Sequence, residues 1–176
     1  MCFATPRFVN AESRLAKLPA QFFTLSQGNA NKLTQQKIFE DELMFVVSHN
    51  HPWAKKGKPQ YRDLTEQMLI LYDEPTNTQT ILSEYFENYA VDYRKPSHLG
   101  NIPAIVEMVK LNIGIAIVAP WMLGEALNKY NLVSLPLGRR KLTRKWVALF
   151  KQDRRLNWVE ESFLKLFKRV TPKKSR

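Results

Sequence analysis

The stretch NIPAIVEMVKLNIGIAIVAP, residues Asn101 to Pro120, contains a helix, its termination and a strand in immediate succession. Ile102, Ile105, Val106 and Val109 recur at the spacing of one helical face. Asn101 stands where an N-cap belongs, because its side-chain oxygen can accept from a free backbone N–H, and Pro103 falls in the first turn, where its missing N–H is not needed. Asn112 and Gly114 mark the end of the helix. Ile115-Ala116-Ile117-Val118-Ala119 is then an unbroken apolar run, which predicts a strand covered on both faces and stopped by Pro120.

The same alternation extends in both directions. Leu43 to Val47 and Met68 to Tyr72 are further apolar runs of strand length, with a single helical turn expected over Leu64 to Gln67. Ala54 to Pro59, rich in Lys, Gly and Pro, reads as a surface loop, and His49 and His51 flank a turn before Pro52. After Tyr72, Ile81, Leu82, Tyr85, Phe86 and Tyr89 have helical spacing, and Thr76 with Gln79 three residues later matches a capping box. A short strand is expected over Lys95 to Leu99, and others over Leu132 to Leu135 and Trp146 to Phe150. Val159, Phe163, Leu166, Phe167 and Val170 give the apolar face of a C-terminal helix. Strand, helix, strand, helix, strand predicts an α/β fold in which helices cover a parallel sheet through right-handed crossovers. Met1 to Lys37 offers few periodic apolar positions beyond a short helix near Glu12 to Leu18.

Composition narrows the function. At 176 residues and 44% hydrophobic side chains the chain can bury a core as one domain or as two lobes. The one cysteine, Cys2, cannot form an internal disulfide, and no Cys/His cluster has metal-ligand spacing, so a reducing cytoplasm, no metal and no cofactor are expected. No apolar stretch is long enough for a membrane helix, and Arg7, Glu12, Arg14 and Lys17 break up any signal-peptide pattern. The net charge of +11 lies wholly in residues 138 to 176, which carry 14 basic and 3 acidic side chains. Such a region attracts polyanions without reading sequence, and it is equally the solvated face and basic tail, Thr171 to Arg176, of an ordinary domain.

A parallel sheet places ligands beyond the carboxyl ends of its strands, where helix N-termini offer free N–H groups and the positive end of the dipole. Two helix starts fall on that side here: Thr76, Asn77 and Thr78 after the strand ending at Tyr72, and Gly100 and Asn101 after the strand ending at Leu99. These residues form a candidate site for a small carboxylate or phosphate, or they cap their helices and nothing more. Catalysis is not expected. The histidines, His49, His51 and His98, belong to no hydrolase, phosphate-loop or zinc-protease motif, and the consecutive acids Glu40-Asp41-Glu42 read as a solvated edge.

Several motifs in this order resemble the effector-binding domain of LysR-type transcription regulators. Ile38 to Leu43 running into Phe45-Val46-Val47, followed by His51-Pro52-Trp53-Ala54, is similar to the family's acidic approach, strand and His-Pro turn. Tyr61-Arg62-Asp63-Leu64 resembles its next short helix, Asn101 to Pro120 its helix, glycine turn and strand, and Pro136 to Arg140 with Arg144-Lys145-Trp146 its closing segment. The resemblance, over Ile38 to Val170, implies a two-lobed fold of the periplasmic-binding-protein type (type II), with a small effector taken between the lobes and contacted by Thr76, Asn77, Thr78, Gly100 and Asn101. It implies residues 1–43 as a partial first lobe and crossover, 44–140 as a complete second lobe, 141–170 as the return to the first lobe and 171–176 as a basic tail. Homo-oligomers are expected, with DNA contacted only through a winged helix-turn-helix that has no counterpart here. A first lobe of this kind would leave the strand edge at Trp146 to Phe150 and the helix face at Phe163 and Phe167 uncovered. Two other functions stay open: a non-sensing oligomerisation fragment, and a non-specific nucleic-acid binder acting through the basic C-terminal region.

Overall fold

A computed structural model describes residues 21–24, 33–72, 77–151 and 155–170. The expected helix over Glu12 to Leu18 and the tail Thr171 to Arg176 lie outside the described residues. The chain divides into two compact units, Met1–Asp41 with Arg144–Arg176, and Glu42–Thr143. They are called unit 1 and unit 2 below.

In unit 2 the strands are the second half of β2 (Leu33–Ser48), β3 (Leu69–Tyr72), β4 (Ser97–Leu99), β5 (Ile115–Val118) and β6 (Leu132–Pro136), in the order β6-β2-β5-β3-β4. β3 runs parallel to β4 and β5, as the crossovers predict. β2 corrects the all-parallel expectation, since it runs antiparallel to both β5 and β6. Its first residues in this unit lie level with the ends of its neighbours, Met44 opposite Val118 and opposite Pro136, so it can only run against them.

Alternation along each strand feeds two apolar layers. Phe45, Val47, Leu69, Leu71, Ile115 and Ile117 face one side, where they meet Trp53 of α1 (Pro52–Lys56), Leu64 of a 3-10 turn (Tyr61–Glu66), and Leu82 and Phe86 of α2 (Asn77–Asn88). Trp53 and Phe86 both pack on Phe45, with ring centroids 5.2 and 6.4 Å away. Val46, Ile70, Ala116 and Val118 face the other side, against Ile105, Val106 and Val109 of α3 (Ile102–Lys110) and Leu123 of a 3-10 turn (Pro120–Leu123) that leads to α4 (Ala126–Lys129). Two covered faces explain why these strands are continuous apolar runs.

Two local expectations change. The turn at His51-Pro52 is the start of α1: His51 is its N-cap, and its Nδ1 accepts from the Trp53 N–H at 3.2 Å. A ring nitrogen that accepts leaves the hydrogen on the other one, so Nε2 donates to Gln67 Oε1 at 3.3 Å. The loop begins only at Gly57, in the left-handed conformation. After α3 it is Asn112 that takes the positive φ, of 56°, whereas Gly114 is needed for close approach: a Cβ there would lie 2.6 Å from the Met68 carbonyl oxygen.

Unit 1 holds β1 (Gln21–Thr24), the first half of β2, β7 (Leu142–Lys151) and α5 (Trp158–Val170). β7 lies between β1 and β2, and β1 pairs with it antiparallel from Thr24↔Trp146 to Gln21↔Leu149. The expected open edge at Trp146 to Phe150 is therefore paired over Trp146 to Leu149. Asn157 and Glu160 close a capping box on α5, the Asn157 Oδ1 accepting from the Glu160 N–H and the Glu160 carboxylate from the Asn157 N–H, both at 2.9 Å.

The acidic run is not a solvated edge. Asp41 is buried, and Arg144 grips it with two charge-assisted bonds, Nε to Oδ1 at 2.9 Å and Nη2 to Oδ2 at 2.6 Å. The Trp146 indole N–H adds a third to Oδ2 at 3.0 Å, and Phe39 stacks on the same indole, centroids 5.4 Å apart. Glu40 pairs with Lys37 at 2.8 Å, and Glu42, in unit 2, with Lys141 at 2.9 Å. Each carboxylate in the run has its own cation, which removes any paired-carboxylate chemistry.

Candidate functional site

Parallel pairing in register brings the expected site residues of unit 2 to one edge. Tyr72, the last residue of β3, lies opposite Leu99, the last of β4, so the two strands end level. Helices α2 and α3 start from those ends, and Asn77, Thr78, Gly100 and Asn101 are neighbours of one sheet edge. Thr76 lies outside the described residues, so its half of the expected capping box does too.

Of the described site residues, Asn101 is the N-cap of α3: its Oδ1 accepts from the Ala104 N–H at 3.3 Å. Gly100 is exposed with an ordinary φ, and a Cβ there would meet nothing within 4 Å. The chain does not need glycine at this point for its own conformation, and the space beside it is open. Thr78 is half-buried in the first turn of α2 and already engaged in a contact. In the same turn, Gln79 Oε1 is buried without a hydrogen-bond partner among the described residues.

Sequence reasoning missed two contributors to this edge. β5 also ends here, Ile117 being opposite Leu71, and the Pro120–Leu123 turn carries Trp121, 43% exposed, off its end. The stop at Pro120 was the available signal. The second is the segment after β6. The Tyr61 hydroxyl donates to the Leu137 carbonyl, and the Tyr85 hydroxyl donates to the Arg140 carbonyl at 2.8 Å. Gly138 passes between them so closely that a Cβ would stand 2.5 Å from both oxygens. Burial, then the neighbouring tyrosines and Glu42, push Tyr85 up to about 12; burial and Tyr89 raise Tyr61. Both remain neutral donors at physiological pH.

The family model for the LysR substrate binding domain matches residues 22–172. The chain belongs to that family. It is the effector-binding regulatory domain of a LysR-type transcription regulator, and not an enzyme. Across 129 residues this LysR domain is 24% identical to the HTH-type transcriptional activator CmpR of Synechocystis sp., a match that covers 72% of the chain and 42% of that protein. It thus spans less than half the length of that relative. Two solved structures are similar in fold. The effector binding domain of QuiR in complex with shikimate superposes with a TM-score of 0.69 at 18% identity, covering 88% of this chain and 72% of that one. The Synechocystis CcmR regulatory domain in complex with 2-PG gives 0.68 at 20% identity, covering 85% and 73%. Among the described residues, no helix is long and apolar enough to cross a membrane.

Proposed function

We propose that this LysR domain senses a small anionic metabolite at the carboxyl edge of β3 and β4, with Thr76, Asn77, Thr78, Gly100 and Asn101 as its contacts. The observation that carries the reading is the level ending of the two strands, which sets the N-termini of two helices, of 12 and 9 residues, at one edge. Each brings the polar groups of its first turn and the positive end of a helix dipole, a combination suited to a carboxylate or phosphate. Related regulatory domains bound to shikimate and to 2-PG support a ligand of this size. The proposed mode is binding by shape and hydrogen bonds. Transcriptional control by the whole protein, through DNA contacts outside these elements, is part of the same proposal.

The test is a thermal melt of the chain with shikimate, other small organic acids, phosphorylated metabolites and sulfate at millimolar concentration. A ligand at ~100-fold excess over its Kd adds about 2.7 kcal/mol and raises the midpoint. Gly100→Val is the blocking variant, since it fills the open space without backbone strain. It should keep the unliganded midpoint and lose the ligand-induced rise. A rise that survives Gly100→Val moves the site elsewhere, and no rise with any acid removes the sensing function.

A further inference from the structure

Helix α5 of unit 1 buries Leu164 and turns Phe167, half-buried, against Phe39, with ring centroids 6.3 Å apart. Trp158, Ser162, Lys165 and Arg169 follow one another at intervals of four, three and four residues, so they form one line along the helix. At about 3.6 residues per turn, that line runs on roughly the opposite side from Leu164 and Phe167. All four residues are exposed, Trp158 to 77%.

What the line offers is uniform. An indole N–H, a hydroxyl, an ammonium and a guanidinium are all donors, and the last two carry full positive charge. Glu161, beside the line, reaches Lys165 only at 4.0 Å with both side chains more than half exposed, so that pair is loose. Cations in a last turn also offset the helix dipole, which gives Arg169 a purely structural use. The dipole does not account for Lys165, which lies before the last turn, or for Lys173, Lys174 and Arg176 after the helix. From Ser162 to Arg176 the sequence has six basic residues and no acidic one. A surface of donors and cations fits a partner of acceptors and anions, and the phosphate backbone of a nucleic acid is such a partner. A lipid surface fits less well, because this line has one apolar side chain, Trp158, to insert. Membership of a transcription-regulator family favours duplex DNA among polyanions.

We propose that the solvent-facing side of α5 is a non-specific contact for the phosphate backbone of duplex DNA, with Lys165 and Arg169 neutralising phosphates and Trp158 and Ser162 donating to phosphate oxygens. It reads no bases and adds only salt-dependent affinity. It is independent of the effector edge, and the failure of either leaves the other standing.

Fluorescence anisotropy of the whole chain with a short labelled DNA duplex tests it. The logarithm of the binding constant should fall linearly with the logarithm of salt concentration between about 50 and 200 mM, and should not change when the duplex sequence is scrambled. Lys165→Gln and Arg169→Gln should each lower the slope by about 1 and weaken binding severalfold at the low-salt end, with the melting midpoint unchanged because both side chains are exposed. Trp158→Ala should weaken binding and leave the slope as it is, since it removes a donor and no charge. Lys56→Gln with Lys58→Gln takes two exposed charges from unit 2 and should alter neither slope nor affinity, which separates the α5 face from net charge. No binding at low salt, a slope indifferent to Lys165→Gln and Arg169→Gln, an equal loss from the unit 2 substitutions, or binding to phosphatidylserine vesicles but not to the duplex would each overturn the proposal.

Discussion

The two units solve the same problem with different chemistry. Unit 2 packs its sheet between two apolar layers, one centred on Phe45, Trp53 and Phe86 and the other on Ile70, Ile105 and Val109, all nearly inaccessible to solvent. Unit 1 centres on a buried carboxylate instead, with Arg144 and Trp146 bound to Asp41 and Phe39 stacked above them, and a helix that buries one side chain fully. Apolar layers tolerate volume-conserving exchange. A buried ion pair is demanding: it depends on every hydrogen bond being made, and it fixes which residues of β2 and β7 lie together. The contrast is between a unit held by two apolar layers and one in which, among the described residues, a buried ion pair ties β2 to β7.

The largest effect should follow from breaking the polar centre. Asp41→Ala strands the Arg144 guanidinium and the Trp146 N–H in a buried site, and should cost about 3–5 kcal/mol. Urea denaturation gives the magnitude, and hydrogen exchange gives the place: amides of β7 should lose protection while β3 and β5 keep theirs. Equal loss in both units would erase the distinction drawn here.

Within unit 2 the tyrosine clamp is a second polar feature open to test. Gly138→Ala forces a methyl group against the Tyr61 and Tyr85 hydroxyls, and should destabilise by about 1–3 kcal/mol, measurable in the same denaturation experiment. An alanine tolerated without cost would mean that the clamp gives way freely.

A smaller effect sharpens the comparison in pH. Tyr85 ionises near its ordinary value of 10 in the unfolded chain and is pushed up to about 12 in the folded one. The unfolded state therefore loses its proton first, so the contribution of Tyr85 is complete below pH 10 and disappears as pH rises toward 12. Tyr85→Phe should flatten that alkaline decline and lower stability at neutral pH by about 1–3 kcal/mol, because the Arg140 carbonyl loses its donor. Melting midpoints from pH 8 to 12 for both chains check the sign.

Unit 2 was the legible unit. Its strands are apolar runs because both faces are covered, and Asn101 is a cap whose type and position are set by the backbone, so pattern and capping chemistry sufficed. The antiparallel course of β2 was hidden, since an apolar run carries no direction. Unit 1 was less legible because its order comes from contacts distant in sequence. Asp41 and Arg144 are 103 positions apart, and consecutive acids resemble a surface run until alternation along β2 turns the middle one inward. β1 is four residues whose pairing with β7 no local pattern announces. Asn157-x-x-Glu160 was a readable capping box that helical periodicity alone passed over. At the edge of unit 2 the sequence located the two helix starts, but not Trp121 or the clamp around Gly138, which depend on strand register.

The most direct measurement is a titration of the isotopically labelled chain with shikimate and with sulfate, followed by amide chemical shifts. The account predicts the largest changes at the N–H groups of Thr78, Gln79, Asn101 and Ile102, absent in Gly100→Val. Changes confined to the basic C-terminal region, residues 138 to 176, or none at any concentration, would contradict it.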